Sequence, residues 1–314
     1  MTSQILIRGI ADQTITALKS LAKQHNRALE AEARQALSQW VDANTAADTT
    51  RAQIAARLRY CLEEINGAPN VTNWSVTRIA EAIGERSAPA VAGWFAGEED
   101  APFTGINAIA NTLGVRADWL KHDDGHLFQI EEKRLSQDPY EAVDWLLRWD
   151  DEDSSQLKAL YLIRAKTKCG ELYIVKQSKL DHVKIYHTPL HISDQIGAGG
   201  TAMLGAFFLT LKLLYKRDIS ARVQVSSLML DSDEIKLMMT GNKHPLKIIR
   251  NSRSLWWQDI WDPKMRDNLD AYWDGCLALH HSIWSYINSQ KFLKESNEQI
   301  TQGKLQKNEI ESSV

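Results

Sequence analysis

What this 314-residue sequence lacks narrows it first. Its three cysteines, Cys61, Cys169 and Cys276, stand more than 100 residues apart, a spacing that suits neither a zinc site nor a disulfide framework. A reducing cytoplasm is the expected setting. The opening MTSQILIRGIADQ has no basic stretch followed by a long apolar run, so it is not read as a secretory signal. The longest apolar stretch, Ala202 to Leu214, is shorter than the roughly 20 residues a membrane span needs and contains Lys212, which favours a buried core helix. No internal repeat is visible. Charge is nearly balanced at −3, so bulk electrostatics will not draw the whole molecule to nucleic acid, and any DNA binding must be local and geometric.

What is present is the composition of an ordinary globular chain, 44% hydrophobic and 25% charged, long enough for two or three folded units. Three are expected, so the fold class is multidomain. Residues 1–42 form a short β-strand and two helices, and the small polar stretch Ala43–Thr50 is read as a linker. Residues 51–126 are all-α, with breaks at Gly67-Ala68-Pro69, Gly84, Gly97 and Gly114. Residues 127–314 mix strand and helix signals and are assigned α+β. Strands are expected at Leu172–Val175, Val183–Tyr186, Ala221–Leu230 and Ile235–Met239. Helices are expected around Val143–Leu147, over Thr201–Tyr215 and over Asp267–Gln290, with the acidic run Asp150–Asp153 exposed.

In Ser3–Gly9 a period of two puts Ile5 and Ile7 on one face and Gln4, Leu6 and Arg8 on the other. A helix follows, with Asp12 as the expected N-cap and Ile15, Leu18, Leu21 and Ala22 at helical spacing. It ends at His25-Asn26-Arg27, where Asn26 can take the left-handed closing position. The next helix carries Leu29, Ala33, Leu37, Trp40 and Val41. Forty-two residues are too few for an independent core, so dimerisation is expected to be part of folding.

The strand Gln4–Arg8, the turn His25-Asn26-Arg27 and Glu30-Ala31-Glu32-Ala33-Arg34 resemble the ribbon-helix-helix family, most closely its antitoxin branch, whose members pair with PIN-domain ribonuclease toxins. The resemblance implies a homodimer whose paired strands enter the major groove with Gln4, Leu6 and Arg8 facing the bases. Arg matches guanine O6 and N7, Gln suits adenine, and Leu6 can touch a thymine methyl group. Arg27, Ala28 and Leu29, at the start of the second helix, are assigned to the phosphate backbone. Ala28 replaces the Ser or Thr often found there, leaving that contact to backbone N–H groups.

From Ser75 onward, Ile79-Ala80 to Gly84, Val91 to Trp94, Pro102, Ile109-Ala110, Leu113-Gly114-Val115 and Asp118-Trp119-Leu120 resemble the phage-repressor (Cro/CI, XRE) helix-turn-helix family. The resemblance makes Arg86–Ala92 the groove-reading region, yet its exposed candidates are mostly Ala and Pro. A net charge of −3 over 51–126 opposes phosphate binding as well. Arg78, Arg86, Ser87 and backbone N–H groups are the candidate DNA contacts; the alternative is a folded spacer or a dimerisation unit.

No chemistry is legible in the C-terminal part. No Ser with a partnered Lys suggests self-cleavage. His182, His187 and His191 lack a completing ligand and are read as ordinary histidines, and Ile196–Thr201 lacks the ending of a phosphate-binding loop. Trp256, Trp257, Trp261, Trp273 and Trp284 are expected in a core or subunit interface. No catalytic residue, metal or cofactor is expected, and a ligand-sensing or oligomerising role is assigned. The function expected is a sequence-specific transcriptional repressor, a dimer or higher oligomer on double-stranded DNA, from a prophage, plasmid or defence locus. An antitoxin-like autorepressor with a toxin partner is the alternative, and a toxic or enzymatic C-terminal effector is a third reading.

Overall fold

The computed structural model describes residues 7–149, 156–221, 223–249 and 254–304, with only the backbone considered at 42–48, 218–221 and 266–268. Gln4, Ile5, Leu6 and the acidic run Asp150–Asp153 lie outside the described residues. Ile7 to Ala11 carry no strand ladder within this single chain, since ladder hydrogen bonds require a partner strand.

Helix α1 (Asp12–Gln24) starts from Ala11, so the expected Asp12 cap is corrected by one position. Asp12 instead occupies the first turn, where its carboxylate complements the helix dipole. Asn26 closes the helix at φ 54°, with the Arg27 N–H reaching the Ala22 carbonyl at 2.8 Å, as the sequence implied.

Helix α2 (Leu29–Asn66) runs unbroken for 38 residues, about 57 Å at 1.5 Å per residue. The linker expected at Ala43–Thr50 is therefore corrected. That stretch is small and polar, but between Leu29 and Asn66 no glycine or proline interrupts the backbone, and its alanines favour the helix. The first and second units share one rod.

After Gly67 come α3 (Val76–Ala82), α4 (Ala88–Ala96), α5 (Phe103–Leu113) and α6 (Ala117–His122). Ser75 caps α3 by accepting the Arg78 N–H at 3.2 Å, and Pro89 sits in the first turn of α4, where its missing N–H is harmless. Gly97 and Gly114 end α4 and α5 in left-handed conformations. Ile54, Leu58, Ile79, Val91, Trp94, Ile106, Ile109 and Leu120 form the core between these helices.

The C-terminal part is built on a five-stranded sheet. In chain order it comprises β1 (Gln129–Glu132), α7 (Pro139–Leu146), β2 (Leu157–Ala165), β3 (Glu171–Ser178), β4 (Val183–His191), α8 (Ala198–Ala221) and β5 (Gln224–Leu230). Then follow α9 (Ser232–Met239), α10 (Pro245–Ile249), α11 (Trp256–Asp259), a 3-10 segment (Pro263–Ala271), α12 (Cys276–Ser289) and α13 (Lys291–Thr301). The strand order is β1-β4-β3-β2-β5; β1 runs parallel to β4 and β5 to β2, while β3 is antiparallel to both neighbours.

Three expectations change here. Ile235–Met239 belongs to a helix, because Asp231 and Glu234 form a reciprocal capping box that starts α9. Ala221 ends α8, and the strand begins only at Gln224. Asp267–Gln290 is divided by Gly275 at φ 85°, with 3-10 backbone before it and α12 after it. Strand β2 was not expected: nearly every residue of LKALYLIRA is buried, so it lacks the alternation that betrays a half-exposed strand.

Both faces of the sheet are covered. Leu160, Leu162, Leu172, Ile174 and Tyr186 pack against α7, α8, α12 and the tryptophans Trp256, Trp257, Trp261 and Trp284. By length and composition Ala198–Arg217 could cross a membrane, which corrects the shorter stretch read from sequence. In the fold, Leu204, Phe207, Phe208 and Leu211 of this helix are buried in that core. The opposite face, through Ile163, Tyr173, Val175, Ile185 and Leu228, packs on the helices of residues 51–122. Residues 51–126 and the sheet thus share one core, and position 126 is not a packing boundary.

Candidate nucleic-acid interface

Residues 7–41 contribute nothing to either core, which begin at Ile54 and Tyr140. Within α1 only Ala22 is buried. Ile7, Ile10, Leu21, Leu29, Leu37 and Val41 are exposed, and Trp40 is 66% exposed.

Of the residues singled out from sequence, Arg8 is exposed next to Gly9, whose φ of 78° turns the backbone before α1. Gln4 and Leu6 are outside the described residues, so the face they share with Arg8 rests on the period of the sequence.

Ala28 is the N-cap of α2, in extended conformation, with no side chain accepting a backbone N–H. Its carbonyl receives the N–H groups of Ala31 and Glu32, both at 3.0 Å. First-turn N–H groups of a helix point outward and suit a phosphate oxygen. Two local charges modify that site. Glu30 stands exposed on the first turn and opposes an anion. Glu32 is buried, with Oε1 2.8 Å from His25 Nδ1 and Oε2 3.6 Å from Arg27 Nη1. Arg27, in the turn before α2, is therefore partly neutralised by Glu32 of that helix, while Leu29 is exposed. The His25–Glu32–Arg27 clamp was missed as a role; the spacing of a histidine seven residues before a glutamate across a turn could have signalled it.

The second set of candidates lies about the α3–α4 connection. Arg78, Arg86 and Ser87 are all exposed, and Arg78 Nη1 donates to the Asn73 carbonyl at 3.0 Å. The outward residues of α4 are Pro89, Ala92 and Ala96, which have no side-chain donor or acceptor for a base edge. Glu99 folds over the same helix, against Gly93. These residues and Arg8 stand on opposite sides of α2 in chain order, and the link between the two sets is the α2 rod.

Elsewhere, His182 Nε2 donates to the Thr112 carbonyl at 3.1 Å, His187 stacks on Tyr173 with centroids 5.2 Å apart, and His191 is exposed. Among the described residues, no group of three or more His, Cys, Asp or Glu is placed to hold a metal ion.

Compared with known families, residues 3–41 match the model of the antitoxin FitA-like ribbon-helix-helix domain. No curated protein and no solved structure matches the chain. The N-terminal segment is thus similar to a ribbon-helix-helix antitoxin domain, and it is joined to a larger body of helices and a five-stranded mixed sheet.

Proposed function

We propose, on the premise of that ribbon-helix-helix segment, that the chain is a sequence-specific DNA-binding regulator that represses transcription as a homodimer. The observation that carries the reading is the exposure of the apolar residues Leu21, Leu29, Leu37 and Val41 in the same segment as an exposed Arg8. A second copy buries the face, and closing the dimer pairs the two opening segments into a ribbon of major-groove width. Gln4, Leu6 and Arg8 then address base edges, and Arg27 with the N–H groups at Ala28 and Leu29 holds the backbone.

The helices of residues 51–126 act in this scheme as a helix-turn-helix-like unit that touches phosphates. Arg78, Arg86 and Ser87 supply donors, whereas Pro89, Ala92 and Ala96 supply none for bases. The C-terminal sheet with its flanking helices is assigned a sensing or oligomerising role, without catalysis, in a protein working in the cytoplasm. Protection mapping on DNA upstream of the encoding gene tests this reading. It predicts a two-fold symmetric footprint; the absence of any protected site in that region or genome-wide would overturn it.

A second reading follows from the antitoxin character of the matched domain. Here a toxin is the principal partner and DNA binding serves autorepression. Co-purification with a ribonuclease encoded next to the gene would favour it, and a gene standing alone would count against it.

A further inference from the structure

Among residues 7–41 only Ala22 and Glu32 are buried, and one of the two is a carboxylate, 7% exposed. An acidic side chain is the least expected occupant of the one covered place in a segment whose large apolar residues lie mostly outside. The hairpin explains how it gets there. Left-handed Asn26 lets the Arg27 N–H return to the Ala22 carbonyl, which brings the start of α2 against the end of α1. Glu32, one turn into α2, then meets His25 and Arg27 of the turn.

The two carboxylate oxygens are held unequally. Oε1 accepts from His25 Nδ1 at 2.8 Å, and since a carboxylate only accepts, that nitrogen carries the proton. Oε2 is buried without a hydrogen bond and meets the Arg27 guanidinium only as a charge, with Nη1 at 3.6 Å. The Arg27 side chain is 44% exposed, so its fork can turn outward without crossing either core. Neighbouring charges do not replace it at Oε2. Glu30 has the same sign, and Arg34 Nε turns to the Glu30 carbonyl at 3.4 Å.

We propose, resting on the DNA-binding reading, that Glu32 restrains Arg27 in the free protein and yields it to a backbone phosphate when DNA docks at the start of α2. The exchange is favourable on general grounds. A half-exposed ion pair without a hydrogen bond is weak, whereas a phosphate takes a guanidinium fork through two charge-assisted bonds. His25 stays on Oε1, so the buried carboxylate keeps a donor after Arg27 leaves. Until then the cation of the turn is largely cancelled, which lowers the attraction to phosphates of any sequence and leaves selectivity to the opening segment. Glu32 is thus a positioning residue acting through Arg27, not a DNA contact.

The test is a gel-shift titration of the full chain on duplexes from upstream of its gene, at one fixed salt concentration, for wild type, Glu32→Gln, Arg27→Ala and the double variant. Glu32→Gln keeps the shape and an acceptor for His25 while removing the charge. It should bind about three- to sixfold more tightly than wild type, the worth of one partly exposed ion pair. In the Arg27→Ala background the same change should gain less than about twofold, because no restrained cation remains to be released. A residue that merely supports the turn gives the opposite sign, so weaker or unaltered binding by Glu32→Gln of wild-type helicity overturns the proposal. An equal gain with and without Arg27 also overturns it, since Glu32 would then repel phosphate directly. Should Glu32→Gln fail to fold, Glu32→Met, which fills the covered place without charge, takes its part under the same two criteria. Wild type that shifts no duplex overturns the DNA-binding reading itself and the proposal with it, a result distinct from binding that ignores Glu32.

Discussion

Lys247 Nζ on α10 lies 3.0 Å from Oε1 of Glu64, a carboxylate 183 residues earlier in the chain whose residue is 1% exposed. Lys243 Nζ reaches the same oxygen at 2.9 Å, and the His244 N–H donates to the other at 3.1 Å. Tyr60 Oη, one turn before Glu64, donates to the Asn242 carbonyl at 3.0 Å. The end of α2 is thereby bonded to the α9–α10 loop, and the rod carrying the N-terminal segment is anchored in the sheet-bearing body.

Glu64→Ala should lower stability by about 1–3 kcal/mol, since the His244 N–H is left buried without its acceptor while the two lysines can turn to solvent. Lys247→Ala should cost less, because Lys243 remains on Glu64. Urea denaturation followed by tryptophan fluorescence checks both; equal losses for the two variants would contradict the assigned geometry.

His244 gives the same junction a pH dependence. Burial pushes its imidazole down to about 4. Its Nδ1 accepts the Leu246 N–H at 3.2 Å, a bond that protonation would remove. Burial tends to raise the Glu64 carboxyl, but the Lys243, His244 and Lys247 donors outweigh it and hold that group below its usual value. The signs agree. A base with a depressed folded pKa contributes stability that is full above its unfolded value near 6.5 and is lost as pH falls towards about 4. Glu64 adds a loss beginning lower, as pH falls through its own range. Thermal midpoints measured from pH 7 to 4 should decline, with up to about 3 kcal/mol from the histidine. His244→Phe should flatten the upper part of that decline.

Leu37→Glu should prevent association at micromolar concentration. The side chain lies on the uncovered face of α2, 44% exposed in the single chain, where an unpaired carboxylate cannot be buried cheaply. Sedimentation of wild type and variant tests this, with helicity of residues 51–304 expected to persist because neither core includes Leu37.

Arg8→Ala should reduce affinity for a mapped operator by about 1–3 kcal/mol, roughly ten- to hundredfold, and relax the preference at one base pair. Arg86→Ala should instead weaken all sequences alike and lower the salt dependence by about one counterion. Gel-shift titrations over a series of salt concentrations distinguish the two, and an Arg8 variant with unaltered specificity would remove that side chain from base recognition.

Much of the architecture was readable locally. Asn26, Ser75, Gly97 and Gly114 act at the turn where each stands, so their effect on the backbone can be inferred from neighbouring residues. The unpartnered face of residues 7–41 follows in the same way, from apolar spacing in a segment too short for its own core. The continuous α2 and the helix at Ser232–Met239 also rest on local signals, an unbroken run of helix-compatible residues and a capping box, that composition and β-branched content masked.

Other features depended on distant residues. Strand β2 lacks alternation because helices cover both faces of its sheet, and only the assembled layers reveal that. The joining of residues 51–126 to the sheet and the Glu64–Lys247 pair both bring together side chains from separate stretches. Sequence by itself determined where the chain turns and which faces seek burial, since propensity and capping act within a few residues. Tertiary structure alone decided what each face is buried against, because packing joins groups that chain order keeps apart.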